Sequence, residues 1–213
     1  MSAHEQELHL GHQFEDLKQQ IESYTIGMWI FLVTEVMFFG GLFTAYIIYR
    51  AKFPEGWVHG HHHLDWRLGG LNTLILLTSS LTMALAVRAA MLNKWKPQVL
   101  FLVCTVLLAF GFMIVKYFEY SKKFREHIVP GPLFAHKDDP GQELFMGLYF
   151  ALTGLHGFHV LIGILVISAI TIRTINMRRM RQDFIPVELV GLYWHFVDIV
   201  WIFLYPLLYL ISK

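Results

Sequence analysis

Residues 144–172 read LFMGLYFALTGLHGFHVLIGILVISAITI, without one Asp, Glu, Lys or Arg. A helix of that length reaches ~43 Å, more than the ~30 Å hydrocarbon core of a bilayer. No globular strand is that long, and a soluble core helix has no need of such a run. The segment predicts a transmembrane helix that tilts or projects from the bilayer. Working outward, four more runs have the same character. Between Thr25 and Tyr49 the only charge is Glu35, residues 69–87 and 99–115 carry none, and residues 189–212 carry only Asp198. The chain is therefore expected to be all-α: an integral membrane bundle of five transmembrane helices over residues 24–213. The spans fall at about 24–49, 69–92, 98–120, 143–172 and 188–212, after a polar N-terminal arm over residues 1–23.

Composition agrees. Of 213 residues, 55% are hydrophobic and 15% charged, against ~25% charged in an ordinary soluble domain. Mean hydropathy is +0.49. Seventeen Lys and Arg nearly balance sixteen Asp and Glu, so no strong field exists to attract nucleic acid. A soluble enzyme, a secreted disulfide scaffold and a disordered chain are excluded. Cys104 has no second cysteine to pair with. The first 23 residues lack the basic start and cleavage site of a signal peptide, so the first span is expected to remain as an anchor. No internal repeat is visible, which counts against an inverted-repeat transporter. Gly41 with Ala45, Ser80 with Ala84, and Gly147 with Ala151 have small-xxx-small spacing, which lets helices approach closely.

Ionisable groups inside spans are costly, so each needs a reason. Glu35 falls near the midplane, where it is expected to be neutral or bonded to a partner on another helix. Interhelical attachment and a proton or lipid site both fit it. His156 and His159 share one face of the fourth span, and His195 and Asp198 share one face of the fifth, with Glu188 earlier on the same helix. Metal ligation would use such groups. The absence of a tetrahedral Cys/His pattern and of spaced haem-ligand pairs favours an intramembrane polar network of His156, His159, Glu188, His195 and Asp198 instead. Glu119, at the end of the third span, is expected to be more exposed and to lie at an interface. The run from His59 to His63 is expected to be a solvated loop.

Five segments, taken in order, carry a resemblance. They are Thr34-Glu35-Val36-Met37-Phe38-Phe39-Gly40, the run Leu71–Ser80, Tyr117-Phe118-Glu119-Tyr120, the run Thr153–Val160, and the run Tyr193–Trp201. Together they resemble subunit III of cytochrome c oxidase, in the haem-copper oxidase superfamily, from about Tyr24 to Leu210. The resemblance implies a chain without a redox cofactor that packs against catalytic subunit I, where the haem and copper reside. It implies bound phospholipid, support of proton uptake and endurance in turnover, and a place in aerobic electron transport. It also matches Glu35 to the family's buried carboxylate and Glu119 to an acidic residue at a helix end. His156, His159, Glu188, His195 and Asp198 match the family's polar set. Longer family members have seven helices, and the five here match the last five, which looks like a bacterial form. The related quinol oxidases have a five-helix subunit III too and are the alternative, ahead of an unrelated structural or transport membrane protein.

Orientation is read from basic residues in short connections. Arg88, Lys94 and Lys96 border one, and Arg173, Arg178, Arg179 and Arg181 crowd another. Both are expected on the cytoplasmic side of a bacterial inner membrane, with the N-terminus cytoplasmic and the C-terminus outside.

Overall fold

The computed structural model describes residues 13–132, 134, 139–176 and 184–210. Six α-helices follow one another: α1 (Leu17–Lys52), α2 (Pro54–His61), α3 (Trp66–Met91), α4 (Trp95–Arg125), α5 (Pro140–Asn176) and α6 (Ile185–Tyr205). A single π-helical turn, Pro206–Leu210, continues α6. No strand occurs among the described residues. Five helices are long and apolar enough to cross a membrane, the fifth being α6 together with its π turn. The protein is an all-α, multi-pass membrane bundle.

Each helix boundary has a local cause. Asp16 caps α1 by accepting from the Gln19 amide at 2.6 Å, and Asp65 caps α3 through the Arg67 amide. Because nothing between Leu17 and Tyr24 breaks a helix, the second half of the arm expected as a separate polar element is the first part of α1. Residues 1–12 lie outside the described residues. The α3–α4 hairpin turns on Asn93, at φ 55°, a conformation Asn tolerates better than most residues. Pro97 sits in the first turn of α4, where its missing N–H costs nothing, so that helix starts before the expected Gln98.

The core lies between α3, α4, α5 and α6, where Met83, Leu102, Phe112, Leu152, Trp194 and Trp201 are fully buried. In α6 half of the apolar window is buried inside the chain, but only 11% of the window in α1. α6 is the centre of the bundle; α1 lies along its flank and turns most of its apolar surface outward. The close approaches fall at other glycines than the small-xxx-small spacing indicates. A Cβ on Gly41 would meet nothing, whereas one on Gly163 would lie 2.5 Å from the Trp194 ring, and one on Gly191 would lie 2.9 Å from Val87. Spacing shows where helices can approach; the bulk of the facing residue decides where they do.

The histidine-rich stretch, expected as a solvated loop, is helical as far as His61 and turns at His62 and His63, with His59 and His62 exposed. α2 lies against the start of α5, where Gly56 packs on the Gly141 backbone and Gly60 on the Phe145 ring. Trp57 is buried in edge contacts with Tyr46 and Phe145. His61 Nε2 donates to the Tyr209 carbonyl at 2.7 Å, and burial holds its pKa below the usual value. His59 Nδ1 meets Asp139 Oδ2 at 2.8 Å.

Two outcomes are expected. Gly163→Ala should force α5 from α6 and cost about 1–3 kcal/mol, read as a lower unfolding temperature in detergent, while Gly41→Ala should cost nothing. The hydrogen bond from His59 holds the Asp139 carboxyl below the usual carboxylate range. A depressed acid stabilises the fold above its ordinary titration range and loses that contribution as pH falls through the depressed value. Hydrogen exchange across residues 54–63 should therefore quicken in acid, and His59→Ala should remove that dependence.

Candidate functional site: polar clusters within the bundle

Among the polar groupings that the described residues form inside the spans, three bear on the candidate site, and the largest of these centres on Glu119. This residue is 4% exposed within the chain, so its expected place on a surface is corrected. Lys116, Glu119 and Lys123 stand three and four residues apart and share one face of α4, which turns inward. Lys116 Nζ donates to Glu119 Oε2 at 2.9 Å, and the Tyr149 and Tyr209 hydroxyls donate to Glu119 Oε1 at 2.8 and 2.7 Å. Lys116 also donates to the Tyr209 hydroxyl at 2.8 Å and lies 4.8 Å from the Trp201 ring centre. Lys123 Nζ donates to the His63 carbonyl and stands 3.9 Å from Glu119 Oε1. One carboxylate thus joins α4, α5, the π turn and the segment before α3.

The second grouping joins α1 to α5. Glu35 Oε2 lies 3.1 Å from His159 Nε2, and the side chains are 18% and 10% exposed. His159 Nδ1 donates to the Leu155 carbonyl at 2.9 Å, which fixes the ring's other nitrogen toward Glu35. The hydrogen bond between Glu35 and His159 then needs one proton, held either on Oε2 or on Nε2. The partner that the sequence left open for Glu35 is an imidazole of the fourth span. Tyr193 adds α6 by donating to the His159 carbonyl at 3.0 Å.

The third grouping stitches α3 to α6. Trp194 Nε1 donates to Ser79, Trp201 Nε1 to Thr73, and the Ser80 hydroxyl pairs with His195 Nδ1 at 2.7 Å.

The five residues expected to form one network are therefore dispersed. His159 pairs with Glu35, and His195 with Ser80. His156 is fully buried without a hydrogen-bond partner, packed against Phe112 and Trp201 with ring centres 5.4 and 5.1 Å away. Asp198 is buried with its carboxyl beside the Ser80 hydroxyl, the same hydroxyl that pairs with His195. Glu188 stands half-buried in the first turn of α6. No direct bond among the described residues links these five to one another, although His195 and Asp198, three residues apart on α6, both lie against Ser80. Among the described residues, no three His, Cys, Asp or Glu converge as a metal-binding group.

Lys116, Lys123, Tyr149 and Tyr209 are the site residues that sequence reasoning missed. The +3, +4 charge spacing on α4 was the available signal. It is hidden because the uncharged run stops at Val115, which makes the charges that follow read as the end of the span.

Comparison with known proteins gives a family match over residues 7–213, to the model described as cytochrome c oxidase subunit III. A Synechocystis protein named cytochrome c oxidase subunit 3 is 34% identical over 96% of this chain and 80% of its own length. An Aeropyrum pernix protein named heme-copper oxidase subunit I+III is 34% identical over 86% of this chain, which covers 22% of that longer protein. A Staphylococcus saprophyticus protein named probable quinol oxidase subunit 3 is 31% identical over 88% of each.

The Glu35–His159 pair carries a direct prediction. Glu35→Ala strands His159 Nε2 and should lower stability by about 1–3 kcal/mol, the usual penalty for an orphaned buried polar group. Glu35→Gln can still donate to Nε2 and should keep most of that stability. Thermal unfolding of the two variants in detergent checks the difference.

Proposed function

The chain belongs to the cytochrome c oxidase subunit III family, and from that premise we propose that it is the non-catalytic third subunit of a cytochrome c-oxidising oxygen reductase. Membership makes it a subunit III of the haem-copper oxidases; the electron donor, the direct partner and the roles of its residues are the proposed part. The observation that carries the non-catalytic role is the fate of the three intramembrane histidines. His156 is stacked on rings, His159 is committed to Glu35 and Leu155, and His195 is committed to Ser80. These residues do not fit a haem iron or a copper ion in this chain, so haem and copper are assigned to partner subunits. The name of the Aeropyrum protein, which joins subunits I and III in one polypeptide, supports the catalytic subunit as direct neighbour.

Within that complex, α4, α5 and α6 form a braced wall, and Glu35–His159 places one mobile proton at the α1–α5 seam. The proposed role of that pair is in proton handling during turnover. The reading places the protein in a bacterial inner membrane with the N-terminus cytoplasmic. Of the basic residues behind that orientation, Arg178, Arg179 and Arg181 lie outside the described residues.

A quinol-oxidising complex is the second reading, favoured by the Staphylococcus relative. Purification in mild detergent through a tag on this chain should bring down a haem- and copper-bearing subunit, and the preparation should consume oxygen with reduced cytochrome c. Turnover with a quinol alone would transfer the assignment to the alternative. Recovery without any haem-bearing partner would remove the proposal. In the assembled enzyme, Glu35→Gln should leave assembly intact and shorten the period of sustained turnover; an unchanged time course would dismiss the proton role.

A further inference from the structure

Asn72 on α3 and His156 on α5 are wholly buried. Neither atom of the Asn72 carboxamide and neither ring nitrogen of His156 has a hydrogen-bond partner among the described residues. Orphaned polar atoms are costly in any core, and more so in one that lipid surrounds.

The two side chains reach the same part of the core. Asn72 belongs to the buried stripe Gly69, Asn72, Leu76, Ser79 and Met83, which α3 turns inward. Trp201 of α6 is the common neighbour. Its ring centre lies 5.1 Å from that of His156, and its indole N–H donates to Thr73, the residue beside Asn72. Lys116 Nζ lies 4.8 Å from the same indole. One turn before Asn72, a Cβ on Gly69 would lie 3.1 Å from the Tyr209 ring, whose hydroxyl joins Lys116 and Glu119. α3 packs on α4 and α6, and α5 packs on the same two helices. Asn72 and His156 therefore approach across the interior, at the depth of Lys116 and Trp201.

Neighbouring polar groups are already committed. Thr73 Oγ1 donates to the Gly69 carbonyl while accepting from Trp201, and Lys116 donates to Glu119 and Tyr209. The chemistry of the orphaned atoms then selects their ligand. A carboxamide offers donors and an acceptor, and a neutral imidazole offers one of each. A cation would answer only the acceptors, an anion only the donors, and a hydrocarbon neither. Water donates and accepts, and a buried water ordinarily makes about three hydrogen bonds to groups of this kind. We propose that Asn72 and His156 are the ligands of a bound-water site that bridges α3 to α5 beside Trp201. The site lies at the inner end of the Glu119 cluster, is separate from the Glu35–His159 pair, and does not depend on the electron donor.

The test joins a density map of the assembled oxidase, sharp enough to show ordered water, to a double-mutant cycle. Water should stand within hydrogen-bonding distance of the Asn72 carboxamide and of a His156 ring nitrogen. Asn72→Leu and His156→Phe each remove one ligand and strand what remains. Each should raise the unfolding equilibrium constant of this chain about tenfold in denaturant. The double variant should be little worse than either single one, and His156→Gln, which keeps a donor and an acceptor, should retain more stability than His156→Phe. If no water is held there, each apolar replacement relieves an orphaned group, so both should stabilise and their effects should add. That result would overturn the site, as would ordered side chains with no water between them, or a direct bond from Asn72 to His156. Density that strengthens when bromide replaces chloride would overturn the assignment to water. Where a variant fails to assemble, the wild-type density decides.

Discussion

The carboxylate of Glu119 is the fixed point of the bundle. No bulk water is at hand inside a membrane domain to satisfy a polar group, so each buried donor and acceptor must find its partner within the fold. Glu119 accepts from Lys116, Tyr149 and Tyr209, and Lys123 stands close by. Those donors come from α4, α5 and the π turn after α6. Removing the carboxylate would leave Lys116 buried beside two phenols with no counter-charge. Uncompensated buried charges of that kind are among the costliest defects a fold can carry.

The π turn exists in the same context. Pro206 interrupts the hydrogen-bond ladder of α6, and the last carbonyls of any helix lack helical partners. Here the Leu207 carbonyl accepts from the Tyr46 hydroxyl at 2.7 Å and the Tyr209 carbonyl from His61. The end of α6 is therefore tied to α1 and α2 by its backbone while the Tyr209 side chain reaches Glu119. Thr73 accepts from Trp201 beside Lys116, while farther along the bundle Ser79 accepts from Trp194, Ser80 pairs with His195, and Glu35 with His159 holds α1. Polar bonds thus join the same helices at several depths, a sensible build for a subunit that flanks a catalytic partner.

Much of this was legible in the sequence. Uncharged runs long enough to cross a bilayer identify five spans because lipid penalises charge, and motif order identifies the family. The pairing of polar residues was not legible. Glu35 and His159 are 124 positions apart, and nothing local indicates that they meet. His156, three residues from His159, shares its face by spacing yet ends among aromatic rings, because rotation and depth of a helix are set by neighbours such as Trp201. Glu119 was misplaced for a related reason. A charged residue at the end of an apolar run reads as a surface residue, and only the tyrosines of other helices show that α4 continues inward. Likewise α2 looked like a loop because of its histidines and glycines, but Gly56 and Gly60 are there to admit the α5 backbone and the Phe145 ring.

The ion pair at the centre can be tested by a double-mutant cycle on Lys116 and Glu119 in the assembled complex. Glu119→Leu alone should destabilise by about 3–5 kcal/mol, since it leaves the ammonium unpaired. Adding Lys116→Met should restore a large part of that loss and give a strong coupling between the sites. Additive losses from the two substitutions would contradict the account, showing that the bundle does not depend on their mutual contact.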